Sequence, residues 1–123
     1  YAARGGRDGV RDNYTYSGSN SIDSVAWYYG NSDDSTNPVG RKSPNQLGLY
    51  DMSGNLWEWC LDWYGEYSSS SQTNPTGPSS GDYRVLRGGS WNCYESYCRV
   101  TFRSYGNPSI RFNYIGFRVV CLP

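Results

Sequence analysis

The chain has 123 residues, 37% of them hydrophobic, which suits one domain with a modest core. Its 11 basic and 11 acidic side chains cancel, so it lacks the clustered positive charge that nucleic acids and anionic membranes attract, and we expect no nucleic-acid partner. It has no histidine, which excludes Ser-His and Cys-His nucleophile pairs and imidazole-bound metals.

The first part of the chain predicts loops around short buried segments. Gly, Ser, Asn, Asp and Pro recur every few residues, and no long stretch has helical periodicity. The pattern predicts a polar loop over residues 4–20, a buried segment over 25–29 and a second polar loop over 30–44. No window is long and apolar enough for a membrane span, so we expect no direct membrane insertion by this chain.

The later part carries the strand signals. Trp57 and Trp59 lie in the most apolar stretch and, two residues apart, would face the same side of a strand. Residues 65–82 are rich in Ser, Pro and Gly and predict a long exposed loop. Residues 83–87 and 115–120 predict two core strands.

Aromatic residues make up 17% of the chain, with 13 Tyr and 5 Trp. Abundant Tyr with Ser, Gly and Asn is typical of evolved binding loops, in which rigid rings give contact area at low entropic cost. The alternative is that some of these rings pack in the core or at interfaces. We interpret residues 84–118 as a rigid scaffold that displays an aromatic-rich binding surface.

The four cysteines are even in number but lack the close pairs of a zinc site. If the protein is exported, one disulfide among Cys60, Cys98 and Cys121 is favoured, and the sequence leaves its connectivity open.

Four motifs then occur in order along the chain: YAARGG at residues 1–6, GLYDMSGNLWEW at 48–59, RVLRGGSW at 84–91 and GFR at 116–118. Together they resemble the formylglycine-generating, sulfatase-modifying-factor family. The resemblance implies an α+β, loop-rich C-type lectin fold of the formylglycine-generating type. Residues 1–123 would be the C-terminal portion of one such domain, partnered by the N-terminal remainder of that domain.

Three subclasses of this family imply different activities. A copper-dependent oxidase would use Cys93 and Cys98, whose C-x-x-x-x-C spacing suits linear Cu(I) binding, although the oxidases place more residues between the second thiol and the position of Arg103. Iron-dependent sulfoxide synthases need histidines. The variable proteins of diversity-generating retroelements, in particular the spirochaete type, give the best resemblance.

In those variable proteins, Asn codons of the form AAY are randomised at their adenines. Such codons can yield Asn, Tyr, Ser, Cys, Phe, Gly and Ile, but never Lys, Glu, Gln, Met or Trp. All the candidate varied positions, within a segment of about 91–115, comply with this rule. They are Asn92, Cys93, Tyr94, Ser96, Tyr97, Phe102, Ser104, Tyr105, Gly106, Asn107, Ser109, Ile110, Phe112, Asn113 and Tyr114.

The framework is taken to be Cys98, Arg99, Arg103, Pro108, Arg111 and the residues from Ile115 onward. Within it, Arg103, Arg111 and Arg118 can tie loops to carboxylates or carbonyls through their guanidinium forks. The varied rings are expected to point outward as anchors, whereas Phe102 and Phe112 are equally compatible with core packing.

The resemblance also implies a calcium site at residues Asp51, Gly54, Leu56 and Glu58, with two side chains and two backbone carbonyls as ligands. The alternative is structural: Asp51 caps the turn that follows it, and Glu58 pairs with Arg87 or Arg118. Binding itself would require no cofactor.

These observations predict a binding protein without enzymatic activity, whose diversified segment recognises a protein or cell-surface ligand. The alternatives are the copper oxidase and a carbohydrate-binding lectin that uses aromatic stacking and calcium. By resemblance, the protein would be displayed at the cell surface, as an outer-membrane lipoprotein or otherwise exported.

Overall fold

A computed structural model describes residues 1–121, so the last two residues of the predicted domain lie outside the described part. Short helices and strands are separated by long loops, which confirms the α+β, loop-rich class. The elements are a 3-10 turn at Ala2–Arg4, helices α1 (Gly6–Asp12) and α2 (Ile22–Val25), strands β1 (Trp57–Trp63) and β2 (Arg84–Arg87), a 3-10 turn at Glu95–Cys98, and strands β3 (Ser104–Gly106) and β4 (Ile115–Gly116).

The strands form one sheet in the order β3-β2-β1-β4. β2 is antiparallel to both β1 and β3, whereas β4 is parallel to β1. Glu58 in β1 is paired with Arg87 on one side and with Gly116 on the other. Glu58 therefore lies in the middle of the sheet, between two of the predicted family motifs.

The core is small and is built from distant parts of the chain. One cluster joins the region of α2 to a single residue of the C-terminal half, Cys98, which is fully buried. Trp57, Val85 and Leu86 are buried on the sheet. The buried cluster around α2 consists of Tyr16, Ile22, Val25, Ala26 and Cys98, with Tyr28 packed against it.

Several expectations about local structure are confirmed. Residues 66–82 are exposed throughout, as expected of a surface loop. Trp57 and Trp59 both belong to β1. In the predicted buried segment 25–29, Val25 and Ala26 are buried and the exposure rises toward residue 29.

Two expectations are wrong. Helix α1 lies within residues 4–20, where a loop was predicted. The glycines of this stretch weaken the helical signal in the sequence. An ion pair of 3.5 Å between Asp8 and Arg11, one turn apart, supports the helix. The predicted core strand 115–120 keeps only the two residues of β4. Residues 117, 119 and 120 are more than three-quarters exposed, because in the described chain their apolar side chains have no layer to pack against.

A buried turn at residues 51–55 joins the separate parts of the fold. The Gly54 N–H donates to the carbonyl oxygen of Gly88 at 2.7 Å, and the Asn55 N–H donates to that of Trp27 at 2.7 Å. Gly54 has a φ of 78°, and a Cβ at this position would lie 2.4 Å from the Trp27 carbonyl oxygen. Glycine is therefore required both by backbone conformation and by close approach.

This close approach can be tested with a pair of alanine substitutions. Gly54→Ala and Gly48→Ala both place a side chain at positive φ, but at Gly48 nothing lies within 4 Å of the added Cβ. We expect Gly48→Ala to cost about 1 kcal/mol of unfolding free energy, and Gly54→Ala about 2 kcal/mol more because of the clash. Urea unfolding midpoints measure the difference. Equal midpoints for the two variants would show that the turn does not pack against Trp27 as described.

Candidate functional site

Segment 91–115 is held to the fold from beneath by hydrogen bonds to its backbone. The buried Ser53 hydroxyl donates to the Cys98 carbonyl oxygen at 2.8 Å. The Arg87 guanidinium donates to the carbonyl oxygens of Val100 at 3.2 Å and Phe102 at 3.1 Å. All these bonds use the backbone of the segment, so they do not depend on which side chains the segment carries.

Most of the fifteen candidate positions face solvent. One, Gly106, is buried, where a Cβ would meet Trp59 and Ile110 at about 3 Å. Five are half-buried: Cys93, Phe102, Ser104, Ile110 and Tyr114. Nine are exposed: Asn92, Tyr94, Ser96, Tyr97, Tyr105, Asn107, Ser109, Phe112 and Asn113. That these residues bind a ligand stays a prediction.

The two phenylalanines with open assignments have different environments. Phe112 is 49% exposed and stacks on Tyr114 with a centroid distance of 5.0 Å and an interplanar angle of 8°. Phe102 packs between the ring of Tyr97 at 4.9 Å and that of the buried Trp57 at 6.1 Å. Phe112 thus belongs to the surface, and Phe102 links the surface to the sheet.

Rings outside segment 91–115 extend this surface. Tyr94 contacts Tyr29 edge-on, with ring centroids 5.4 Å apart. Tyr105 lies between Tyr64 at 4.5 Å and Tyr83 at 5.1 Å. Tyr29, Tyr64 and Tyr83 are not among the fifteen positions predicted for the site. Each of these tyrosines borders a predicted polar loop, and this position in the sequence could have indicated that they belong to the surface.

Arg103 connects the exposed loop 65–82 to the surface. Its guanidinium lies over the rings of Tyr67, 3.8 Å from the centroid, and Tyr64, 4.6 Å from the centroid. It also donates to the carbonyl oxygen of Gly65. Arg103 therefore ties a loop to a backbone carbonyl, as expected of the framework arginines, and two cation–π contacts add to this bond.

The two thiols of the possible oxidase site have different surroundings. Cys98 is completely buried, and burial raises the pKa of its thiol to about 12. Cys93 is half-buried, and its sulfur lies 3.1 Å from the Ser90 hydroxyl oxygen. Cys60, Cys93 and Cys98 are all free thiols, so none of them takes part in the disulfide that was favoured for an exported protein.

Alkylation of the native protein should distinguish these thiols. At pH 8 the Cys98 thiolate fraction is on the order of 10⁻⁴ for a pKa of about 12, and the thiol is buried, so we expect iodoacetamide to modify Cys93 and not Cys98. In the unfolded chain, with a thiol pKa of about 8.5, Cys98 should react as fast as the others. The protection of Cys98 should also weaken as the pH rises from about 8.5 toward 12, since ionisation favours the unfolded chain. Peptide mass spectrometry measures the alkylation of each cysteine. Equal alkylation rates of Cys93 and Cys98 in the native protein would contradict the burial of Cys98.

The predicted calcium residues provide only part of a metal site. Asp51 accepts a hydrogen bond at Oδ2 from the Gly40 N–H at 2.8 Å, and its buried Oδ1 has no hydrogen-bond partner. That oxygen would suit a calcium ion. Both oxygens of Glu58, however, bond to Arg118, the pairing named as the structural alternative. Within residues 1–121 there is no group of three or more Asp, Glu, Cys or His side chains able to hold a metal ion.

Comparisons with known proteins identify the fold and the family. A solved structure of Treponema denticola variable protein 1 superposes with a TM-score of 0.85 and 40% identity, covering 95% of this chain and 42% of that one. This confirms the C-type lectin fold of the variable-protein type. The family model of the sulfatase-modifying factor enzyme 1-like domain matches residues 1–122, and the chain belongs to this family.

Several curated relatives have an enzyme name, among them two from bacteria. The formylglycine-generating enzymes of Streptomyces coelicolor and Thermomonospora curvata are 46% and 41% identical to this chain, over 68% and 72% of its length. The chain spans 28% and 32% of their lengths, about a third or less.

These relatives contradict the prediction that the protein is not an enzyme. That prediction relied on the absence of histidine, which excludes imidazole chemistry but leaves thiol chemistry open. It also relied on the spacing between Cys98 and Arg103, which does not exclude the oxidase subclass. As to membranes, no helix among residues 1–121 has the length and apolarity of a spanning segment.

Proposed function

We propose that segment 91–115 is a diversified ligand-binding surface, varied by a diversity-generating retroelement and directed at a protein or cell-surface ligand. The observation that carries the proposal is the separation of roles within the segment. Its backbone is held by Ser53 and Arg87 and its Cys98 is buried, while nine of fifteen candidate side chains are exposed. Such an arrangement allows side chains to change without changing the fold.

The composition of the surface supports recognition of a macromolecule. Exposed Tyr and Phe rings lie among Asn and Ser, a combination that supplies rigid contact area together with adaptable hydrogen bonding. The likeness to a Treponema denticola variable protein adds support. On this proposal the hypervariable surface is presented outside the cell, as a lipoprotein or by another export route, and the N-terminal remainder of the domain completes the fold.

The test of diversification is genetic. We expect a reverse-transcriptase gene near the coding sequence and a near-copy of the stretch for residues 92–118 that differs only where the copy has adenine. Deep sequencing of a cell population should find amino-acid changes at the fifteen candidate positions. The framework positions Cys98, Arg103 and Arg111 should stay constant and serve as internal controls. Absence of a repeat, or changes spread evenly over the chain, would refute retroelement diversification.

A second candidate function is the copper-dependent oxidation performed by a formylglycine-generating enzyme. The names of the two curated relatives favour it, and Cys93 and Cys98 are close enough for their charges to interact. Two soft thiolates suit Cu(I). The burial of Cys98 opposes this function as the structure stands, because the raised pKa of its thiol makes the proton that Cu(I) must displace harder to remove.

Copper titration separates the two functions. The oxidase predicts one Cu(I) per reduced chain, with binding lost in both Cys93→Ser and Cys98→Ser and kept in the control Cys60→Ser. Diversification predicts no stoichiometric binding that depends on both thiols, because Cys93 then occupies a varied position. Tight binding that requires both thiols would therefore overturn the ligand-binding proposal in favour of the oxidase.

A further inference from the structure

Arg118 makes an unusually complete set of contacts beside the turn at residues 51–55. Its Nη2 lies 2.7 Å from Glu58 Oε1, and its Nε lies 3.1 Å from each Glu58 oxygen. The same Nη2 donates to the carbonyl oxygens of Tyr50 at 2.9 Å and Asp51 at 3.4 Å. One cationic group thus binds four oxygens, which all belong to the motif at residues 48–59.

The strand pairing places Arg118 at this position. Gly116 of β4 pairs with Glu58 of β1, so the residue two positions later reaches the carboxylate and the neighbouring turn. The GFR and GLYDMSGNLWEW motifs meet at this point. The contact therefore follows from the sheet register and is not a chance surface encounter.

Arg118 also lies close to the side chain of Asp51, whose Oδ1 is buried without a hydrogen-bond partner. The hydrogen bond to Glu58 raises the pKa of Arg118, and the nearby Asp51 charge acts in the same direction. A guanidinium this close offsets part of the cost of burying the Asp51 carboxylate.

We propose that the guanidinium of Arg118 occupies the place of a metal ion at this turn, so that an internal cation does the work that the family resemblance would give to calcium. Calcium takes six to eight oxygen ligands, and here both Glu58 oxygens and the Asp51 carbonyl are already bound by Arg118. A calcium ion and the guanidinium compete for these oxygens and repel each other. Entry of calcium therefore requires the departure of Arg118. The proposal is independent of the ligand-binding function.

The test compares thermal unfolding of the wild type and Arg118→Gln in EDTA and in about 10 mM calcium, above the dissociation constants of weak extracellular sites. The wild-type Tm should not change with calcium. Arg118→Gln should unfold several degrees lower in EDTA and recover with calcium, because the freed Glu58 and Asp51 oxygens can then bind the ion. The matched control, Arg111→Gln, alters an exposed arginine and should resemble the wild type.

The double variant Glu58→Gln/Arg118→Gln should not recover with calcium, which would locate the ion at Glu58. Equal responses of the wild type and Arg118→Gln, including no response in either, would overturn the proposal. Since Arg118→Gln could reduce folding yield, the wild type is also titrated with Tb³⁺, a calcium mimic that emits when a nearby tryptophan transfers energy to it. Emission that is abolished by Glu58→Gln would show that a metal ion binds despite Arg118, and would equally overturn the proposal.

Discussion

The buried turn at residues 51–55 is the constraint on which the rest of the structure depends. Most of its polar groups are bonded to other parts of the chain: Gly54 bonds to Gly88, Ser53 to Cys98, and the Asn55 carbonyl oxygen accepts from the Trp91 N–H at 2.9 Å. Leaving such groups unpaired would cost about 1–3 kcal/mol each, so the partners are held in fixed positions. A domain with a small apolar core is thereby ordered by hydrogen bonds rather than by hydrophobic packing alone.

This mode of assembly suits a surface whose side chains differ. A segment fixed by its side chains would lose its shape when they change, whereas segment 91–115 is fixed by bonds from Ser53 and Arg87 to its own carbonyl groups. The one deeply buried side chain of the segment, Cys98, fills the core beneath it, and Gly89 must be glycine because a Cβ there would lie 2.7 Å from the Cys98 sulfur. The backbone of the segment therefore contributes to stability, while most of its candidate side chains remain free to face solvent.

The sequence predicted the fold better than the details of the site. Four ordered motifs were sufficient for the family, and polar, Gly-rich composition was sufficient for the loops. The strand predicted at 115–120 is longer than β4, because a run of apolar residues forms a strand only where its side chains can pack against another layer of the fold. The rings of Tyr29 and Tyr64 were not predicted because they contact Tyr94 and Tyr105, which are distant in sequence. The sequence left two arginines as partners of Glu58, and the sheet register places Arg118 beside it.

The packing of Tyr105 between Tyr64 and Tyr83 has a consequence for how varied this surface can be. A smaller residue at position 105 would remove one ring and with it a contact of each of the two rings that border loop 65–82, which would leave Arg103 as the main tie of that loop. The loop would then settle differently for different residues at position 105. Substitution at a single site would alter the outline of the surface as well as its chemistry, so if the segment is diversified as proposed, its repertoire of shapes is larger than a count of side chains implies.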